Sequence, residues 1–489
     1  MKNRMQTLLP AAERQMTSRI INQNVGRAWR QIVWTLGLAI TLIASASAQI
    51  AAQATSAAAG PSSAATATAQ QGVVDTTKLV SEFDVNGLKV LVKQRAGSQT
   101  AVVGLFMRGG SSNITEKNAG IEALMLDLST EASTNFPRER MRSETARMGS
   151  GISYGVNYDY SALVMGTTRR NFDRSWQMFT DVALHPSFAA DDFERVKNRL
   201  IVARGDDQDT ADSYLQVLQN RVAYAGHPYL NNPGGTVESI KSLTLEDVKR
   251  YHQQFMQTSR LLLVVVGDLD PQQIKALVEA SLGKLPRGNY RNSAAPALSF
   301  DAPSVEVTSR ALPTNYVMGS FVAPAMTADD IYAMRVASSV LQGRVFVEVR
   351  ARRNLSYAPD AFLGSQAANL GGIYVSAVDA NQAVSVMLNE IAKLQRNLLD
   401  PDEIKGTVQQ FLTKYYMGEQ TNAAQAGELA QYELIGGGWR NSAIFIDRLR
   451  AVTPADVQRV SQKYMRNIRF VVLGDPTKID KSVFIRPVG

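Results

Sequence analysis

Arg350 and Tyr357, in the stretch RARRNLSY, put a guanidinium and a phenol seven residues apart. Both are hydrogen-bond donors, so the pair could stabilise a carbonyl oxygen that becomes negative as water adds to it, a contribution of the oxyanion-hole type. The plainer alternative is that Arg350, Arg352 and Arg353 are surface bases in a row and Tyr357 starts a core strand. Elsewhere reactive groups are scarce. The chain has no cysteine, which excludes disulfides, thiolate metal sites and cysteine catalysis. Its three histidines, His185, His227 and His252, are not paired at helical ligand spacing. His227, in GHPYL, reads as loop packing beside Pro228. The acidic run DDQDTAD, Asp206 to Asp212, lacks the glycine and terminal glutamate of a calcium loop and reads as a solvated helix end. No nucleophile elbow or alternative zinc motif appears.

A second stretch, NAGIEALMLDLST from Asn118 to Thr130, reads as the start of a helix. Residues at i, i+3 and i+4 share a helical face. On the face that begins at Ala123 these are Ala123, Leu126 and Asp127, so a single carboxylate is offered.

The elements that must carry these residues belong to a chain of 489, enough for about two to four domains. Hydrophobic content of 45% with 20% charged residues is that of a folded globular protein. Residues 1–48 differ: basic residues from Lys2 to Arg30 precede the apolar run Ile32 to Ala44 and the small-residue site Ala46-Ser47-Ala48. This pattern predicts a secretory signal, with an uncleaved anchor as the alternative; the run is shorter than the ~20 residues a spanning helix needs. Met5 and Met16 are alternative starts. Most of the basic excess lies in this leader, and no Lys/Arg run with interleaved aromatics follows it, so nucleic-acid binding is not expected. Residues 49–77 are Ala/Ser/Thr/Gln-rich, cannot bury a core, and read as a disordered tether.

Beyond the tether the chain repeats itself. LTLEDVKRYHQQFMQTSRLLLVVVGD, from Leu243, matches VTPADVQRVSQKYMRNIRFVVLGD, from Val452: Thr244 corresponds to Thr453, Asp247 to Asp456, Met256 to Met465 and Arg260 to Arg469. DDFERVKNRLIV at Asp191 mirrors DEIKGTVQQFLT at Asp402. A period of about 210 residues is too long for a solenoid and predicts two homologous domains, 78–285 and 301–489, joined by a linker over 286–300. Each copy reads as α+β: a mainly antiparallel sheet packed with helices, closed by a buried apolar strand. Asn86-Gly87 predicts a hairpin. Thr244 and Thr453 stand where helix N-caps are wanted.

With VGLFMRGGSSNITEKNAGIEALM, GHPYLNNPGGTVESIKSLT and LQGRVFVEVRARRNLSYAPDAF in this order, the chain from Ser81 onward resembles the pitrilysin/insulinase family of zinc peptidases. Active members carry H-x-x-E-H on the helix that corresponds to Asn118–Thr130, where two imidazoles bind zinc and the carboxylate activates water. The resemblance puts these three positions at Ala123, Leu126 and Asp127. It puts the family's third ligand, a glutamate, at Val202 or Ala203. At most one carboxylate is kept, so no metal is expected on this chain.

The resemblance also implies that Arg350 and Tyr357 match an arginine and a tyrosine that reach across to the zinc site of a facing domain and bind substrate near the scissile bond. Two-chain members pair a zinc-bearing subunit with one that lacks the motif, and the chain looks like the second kind. The expected function is therefore a zinc-less subunit of an exported, periplasmic heterodimeric metallopeptidase. It would supply Arg350 and Tyr357 to a zinc-bearing homologous subunit acting on peptide substrates and have no activity of its own. A non-enzymatic peptide-binding or scaffold protein of the same fold is the alternative, and self-association into a homodimer is the alternative state of the chain when alone.

Overall fold

A computed structural model describes residues 76–488, so the leader and the Ala-rich tether up to residue 75 lie outside the described residues. The first sheet is built from β1 (Val80–Val85), β2 (Leu88–Gln94), β3 (Thr100–Arg108), β4 (Gly151–Val156), β5 (Tyr160–Thr168) and β6 (Leu261–Gly267), in the order β1-β2-β6-β3-β5-β4. Asn86 and Gly87 have φ of 53° and 84°, the left-handed pair that a two-residue hairpin between twisted strands requires. The second sheet has β7 (Ser304–Ser309), β8 (Asn315–Val322), β9 (Asp360–Leu363), β10 (Leu370–Ala377) and β11 (Arg469–Gly474), in the order β7-β11-β8-β10-β9. In each sheet one parallel pair, β2 with β6 and β7 with β11, joins an otherwise antiparallel array. The two sheets are therefore the same sheet, with β1 added to the first.

The helices that matter for the site are α1 (Ile121–Ser129), α2 (Ala190–Gly205), α3 (Ala211–Ala223), α4 (Leu245–Phe255), α5 (Asp330–Val345), α6 (Pro401–Gly418), α7 (Asn422–Ile435) and α8 (Pro454–Tyr464). α4 and α8 open on reciprocal capping boxes, Thr244 with Asp247 and Thr453 with Asp456, which satisfy amides that the first turn leaves orphaned. The central strands read as continuous apolar runs because both faces of each sheet are covered. All seven residues of β6 are buried.

What covers the second face comes from the other half. α7 packs Ala426, Leu429 and Ala430 on Leu91, Val102, Phe106, Leu262 and Val264 of the first sheet. α3 packs Leu215, Leu218 and Val222 on Val471 and Leu473 of the second. The two helices begin at Ala211 and Asn422, the same offset as the sequence repeat, so the halves exchange equivalent helices. Each exchange is fastened by an arginine at the start of the exchanged helix. Arg95 donates to Gln420 O at 3.0 Å and to Asn422 Oδ1 at 2.6 Å. Arg310 donates to Gln208 O and Asp209 O, both at 3.0 Å. The acidic run is thus more than a solvated helix end: it carries these carbonyls, and Asp212 accepts from Tyr374 Oη at 2.6 Å.

Residues 286–300 form neither helix nor strand but are tied to the first half. His227 Nε2 donates to Pro296 O at 2.9 Å while its Nδ1 accepts from the Tyr229 amide at 3.1 Å, so this imidazole is a loop anchor. Among the described residues no helix is long and apolar enough to cross a membrane.

Candidate functional site

α1 is launched by Gly120, whose φ is 88° and where an added Cβ would stand 2.9 Å from Gly235 Cα; only glycine fits. All nine residues of α1 are buried. Ala123 and Leu126 are 3% exposed and belong to the packed interior. Asp127, one position on, is held by α2: Arg199 Nη2 donates to Asp127 Oδ1 at 2.7 Å. Burial pushes this carboxyl above its ordinary range, and Arg199, together with a hydrogen bond from Tyr154, pulls in the other direction.

The pair is the start of a chain of alternating charges. Arg199 Nη1 reaches Glu131 Oε1 at 3.1 Å, Arg195 Nη2 reaches Glu131 Oε2 at 2.7 Å, and Arg195 Nη1 reaches Asp192 Oδ1 at 2.8 Å. Arg138 closes on Asp192 from the helix Arg138–Met148. Ala203 is one turn beyond Arg199 on α2, on the same face. Val202 is 63% exposed. A catalytic zinc needs three protein ligands. Ala123, Leu126, Val202 and Ala203 have no donor atom and the carboxylate of Asp127 is engaged, so the residues present do not fit zinc. Among the described residues no group of three or more His, Cys, Asp or Glu could hold a metal ion. His185 caps the end of the helix Phe172–Leu184, and His252 Nε2 binds Ala183 O at 3.0 Å.

Beside this frame lies a buried polar cluster that the sequence reading missed. Glu122 accepts from Tyr251 Oη at 2.7 Å, from Arg260 Nη2 at 3.1 Å and from Ser161 Oγ. The Arg260 guanidinium carbon sits 3.7 Å from the ring centroid of Phe255 and 4.8 Å from that of Tyr290. Burial pushes the Glu122 carboxyl up, against the opposing charge of Arg260. A glutamate in the first turn of a mostly apolar helix and an arginine directly before an all-apolar strand were the available signals, since a buried charge needs a partner.

In the second half, α5 runs into a π-helical turn, Phe346–Ala351, a rare geometry that is frequent at functional sites. The turn ends with Leu355 N donating to Val349 O at 2.9 Å and with Asn354 at a left-handed φ of 50°, which folds the chain back. Tyr357 thereby returns over Arg350, whose guanidinium carbon stands 4.1 Å from the tyrosine ring centroid and 5.1 Å from that of Phe346. Tyr357 is 77% exposed and precedes β9, so it does not start a core strand. Arg352 and Arg353 are not free surface bases, because both are paired with Glu348. Arg350 has no carboxylate partner among the described residues, and Phe346 and Val347 beside it are exposed. The structure therefore brings the two together as a cation–π pair in which Tyr357 is exposed and Arg350 half-buried.

This architecture is two equivalent α+β halves in tandem, each a mainly antiparallel sheet packed with helices. The comparisons give the family. The model "Insulinase (Peptidase family M16)" matches residues 89–231 and "Peptidase M16 inactive domain" matches residues 242–411. The chain belongs to the M16 (pitrilysin/insulinase) family. It is 24% identical over 262 residues to "Cytochrome b-c1 complex subunit 1, mitochondrial" of Homo sapiens, 52% of this chain and 54% of that protein. It is 27% identical to "Zinc protease PqqE" of Helicobacter pylori over 39% of this chain and 43% of that one. The chain thus spans about half the length of these curated relatives. A longer match, 22% identical over 80% of this chain and 87% of the relative, is to "Mitochondrial-processing peptidase subunit beta" of Blastocladiella emersonii. In fold it is similar to a protease from Helicobacter pylori (TM-score 0.73, 18% identity, 81% of this chain and 99% of that chain). It is also similar to a peptidase M16 inactive domain from Pseudomonas fluorescens (TM-score 0.75, 18% identity, 81% and 98%).

Proposed function

We propose that the chain is the zinc-less subunit of an exported, periplasmic heterodimeric metallopeptidase, lending Arg350 and Tyr357 to the active site of a zinc-bearing homologue. One observation carries the reading: Arg350 is stacked on Tyr357 at 4.1 Å, at an exposed surface, in a chain whose own matching metal positions keep one carboxylate, Asp127, already paired with Arg199. In the complex the guanidinium and the phenol donate hydrogen bonds to the carbonyl oxygen of a bound peptide. These bonds strengthen as the oxygen becomes negative, so they lower the barrier without any proton leaving either group. Zinc belongs to the partner and none to this chain.

The exposed Phe346 and Val347 beside the pair fit a surface that is covered in the working complex. Similarity to a protein named as a subunit of the cytochrome b-c1 complex favours the second reading, a scaffold of the same fold that holds peptides or neighbours without chemistry. Co-expression with a homologue that carries H-x-x-E-H separates the two. The first reading expects one zinc per heterodimer, cleavage by the pair and none by this chain alone. Stable assembly with activity residing entirely in the partner would favour the scaffold.

A further inference from the structure

Arg199, on α2, meets Asp127, on α1, at a position that the family resemblance gives to a zinc ligand. In the family frame the ligands come from these two helices, so the ion cross-links them; here Ala123, Leu126 and Ala203 contribute nothing and Asp127 is the one polar side chain left. Its carboxylate is 9% exposed and meets Arg199 at 2.7 Å, and the same guanidinium reaches Glu131 at 3.1 Å. Glu131 is shared with Arg195, which is shared with Asp192, which is shared with Arg138. Three carboxylates and three guanidinium groups therefore alternate across α1, the turn that follows it, α2 and the helix Arg138–Met148, and the set is neutral.

We infer that the Arg199 guanidinium is a built-in cation that replaces the metal, cross-linking α1 to α2 and excluding zinc even from a site whose ligands have been restored. Two physical points support this. A fork of N–H donors satisfies two carboxylates at once, with a directionality that a lysine ammonium lacks. A fixed positive charge next to an incoming Zn²⁺ repels it, and in a partly desolvated site water screens the repulsion poorly. The inference holds whether or not Arg350 and Tyr357 act on peptides, since it concerns the other half of the chain.

The test uses the full chain and two measurements. The first grafts the family ligands, Ala123→His, Leu126→Glu, Asp127→His and Ala203→Glu, with Arg199 retained or with Arg199→Ala added. Zinc affinity is read by competition with a chromophoric chelator, and site geometry by Co²⁺ absorption. The graft lacking Arg199 is expected to bind at least about tenfold more tightly than the graft that keeps it. Equal affinities would overturn the exclusion of zinc. The second measurement needs no graft: amide exchange in α1 is compared for the wild type, Arg199→Lys and Arg199→Ala, each with and without a strong chelator. Protection should fall in the order wild type, lysine, alanine and be indifferent to chelator. Unchanged protection in Arg199→Ala, or loss of protection in the wild type on chelation, would overturn the cross-link.

Discussion

The guanidinium of Arg350 lies 4.1 Å from the ring centroid of Tyr357, and the π-helical turn and the left-handed Asn354 between them create that contact. Neighbouring Arg352 and Arg353 are drawn off by Glu348. The arrangement selects one arginine of three for the exposed pair, and it converts a separation of seven residues into a common surface.

Replacing Arg199 by methionine leaves Asp127 buried without its partner. A broken buried pair costs about 3–5 kcal/mol, but Arg199 is half exposed and Tyr154 also serves Asp127, so a loss of about 1–3 kcal/mol is expected. Asp127→Asn, which removes the charge with the need for it, should cost less. Urea unfolding of both variants checks the order; an Arg199→Met midpoint equal to wild type would contradict it.

The Glu122 and Arg260 pair is more deeply enclosed, 3% and 8% exposed at the side chains. Arg260→Met should therefore destabilise the first half by about 3–5 kcal/mol. Adding Glu122→Gln should return part of that loss, because the stranded charge is then gone. Additive losses in the double variant would mean that the two residues are not coupled.

Helix exchange brings a titrating cluster between the halves. Burial, with the nearby carboxylate of Glu428, pushes Glu419 up from 4.5 to about 8; Lys93 on β2 opposes this, and Tyr415 donates to Glu428, which also feels Arg335. The folded value lies above the unfolded one, so the native state binds the proton more tightly and its stability falls as pH rises from about 4.5 to about 8. Unfolding midpoints measured across that window should decline, and Glu419→Gln should flatten the decline. A rising midpoint that Glu419→Gln leaves unaltered would reverse the assignment.

The repeat in the sequence foretold two equivalent α+β halves, and the caps at Thr244 and Thr453 were legible because cap chemistry is local to four residues. What the sequence could not display was exchange. Leu215 and Leu429 look like ordinary core residues of their own halves, and nothing in a one-dimensional pattern says which sheet they cover. The same holds for charges: Arg199 and Asp127 are 72 residues apart and Arg260 and Glu122 are 138, so the pattern along the chain does not say which charge meets which. Val202 and Ala203 were equivalent by spacing, and only their exposure on α2 separates them.

The central claim is tested by turnover of one quenched peptide by the heterodimer with its zinc-bearing partner, comparing wild type, Arg350→Ala, Tyr357→Phe and the neighbour Arg352→Ala. Removing one donor from an oxyanion-type site costs about 10²–10³ in rate, so Arg350→Ala and Tyr357→Phe should fall by that order, with assembly and zinc content unchanged. Arg352→Ala should retain most of the rate, since its guanidinium serves Glu348. Wild-type turnover in both Arg350→Ala and Tyr357→Phe would contradict the account and leave the chain a scaffold.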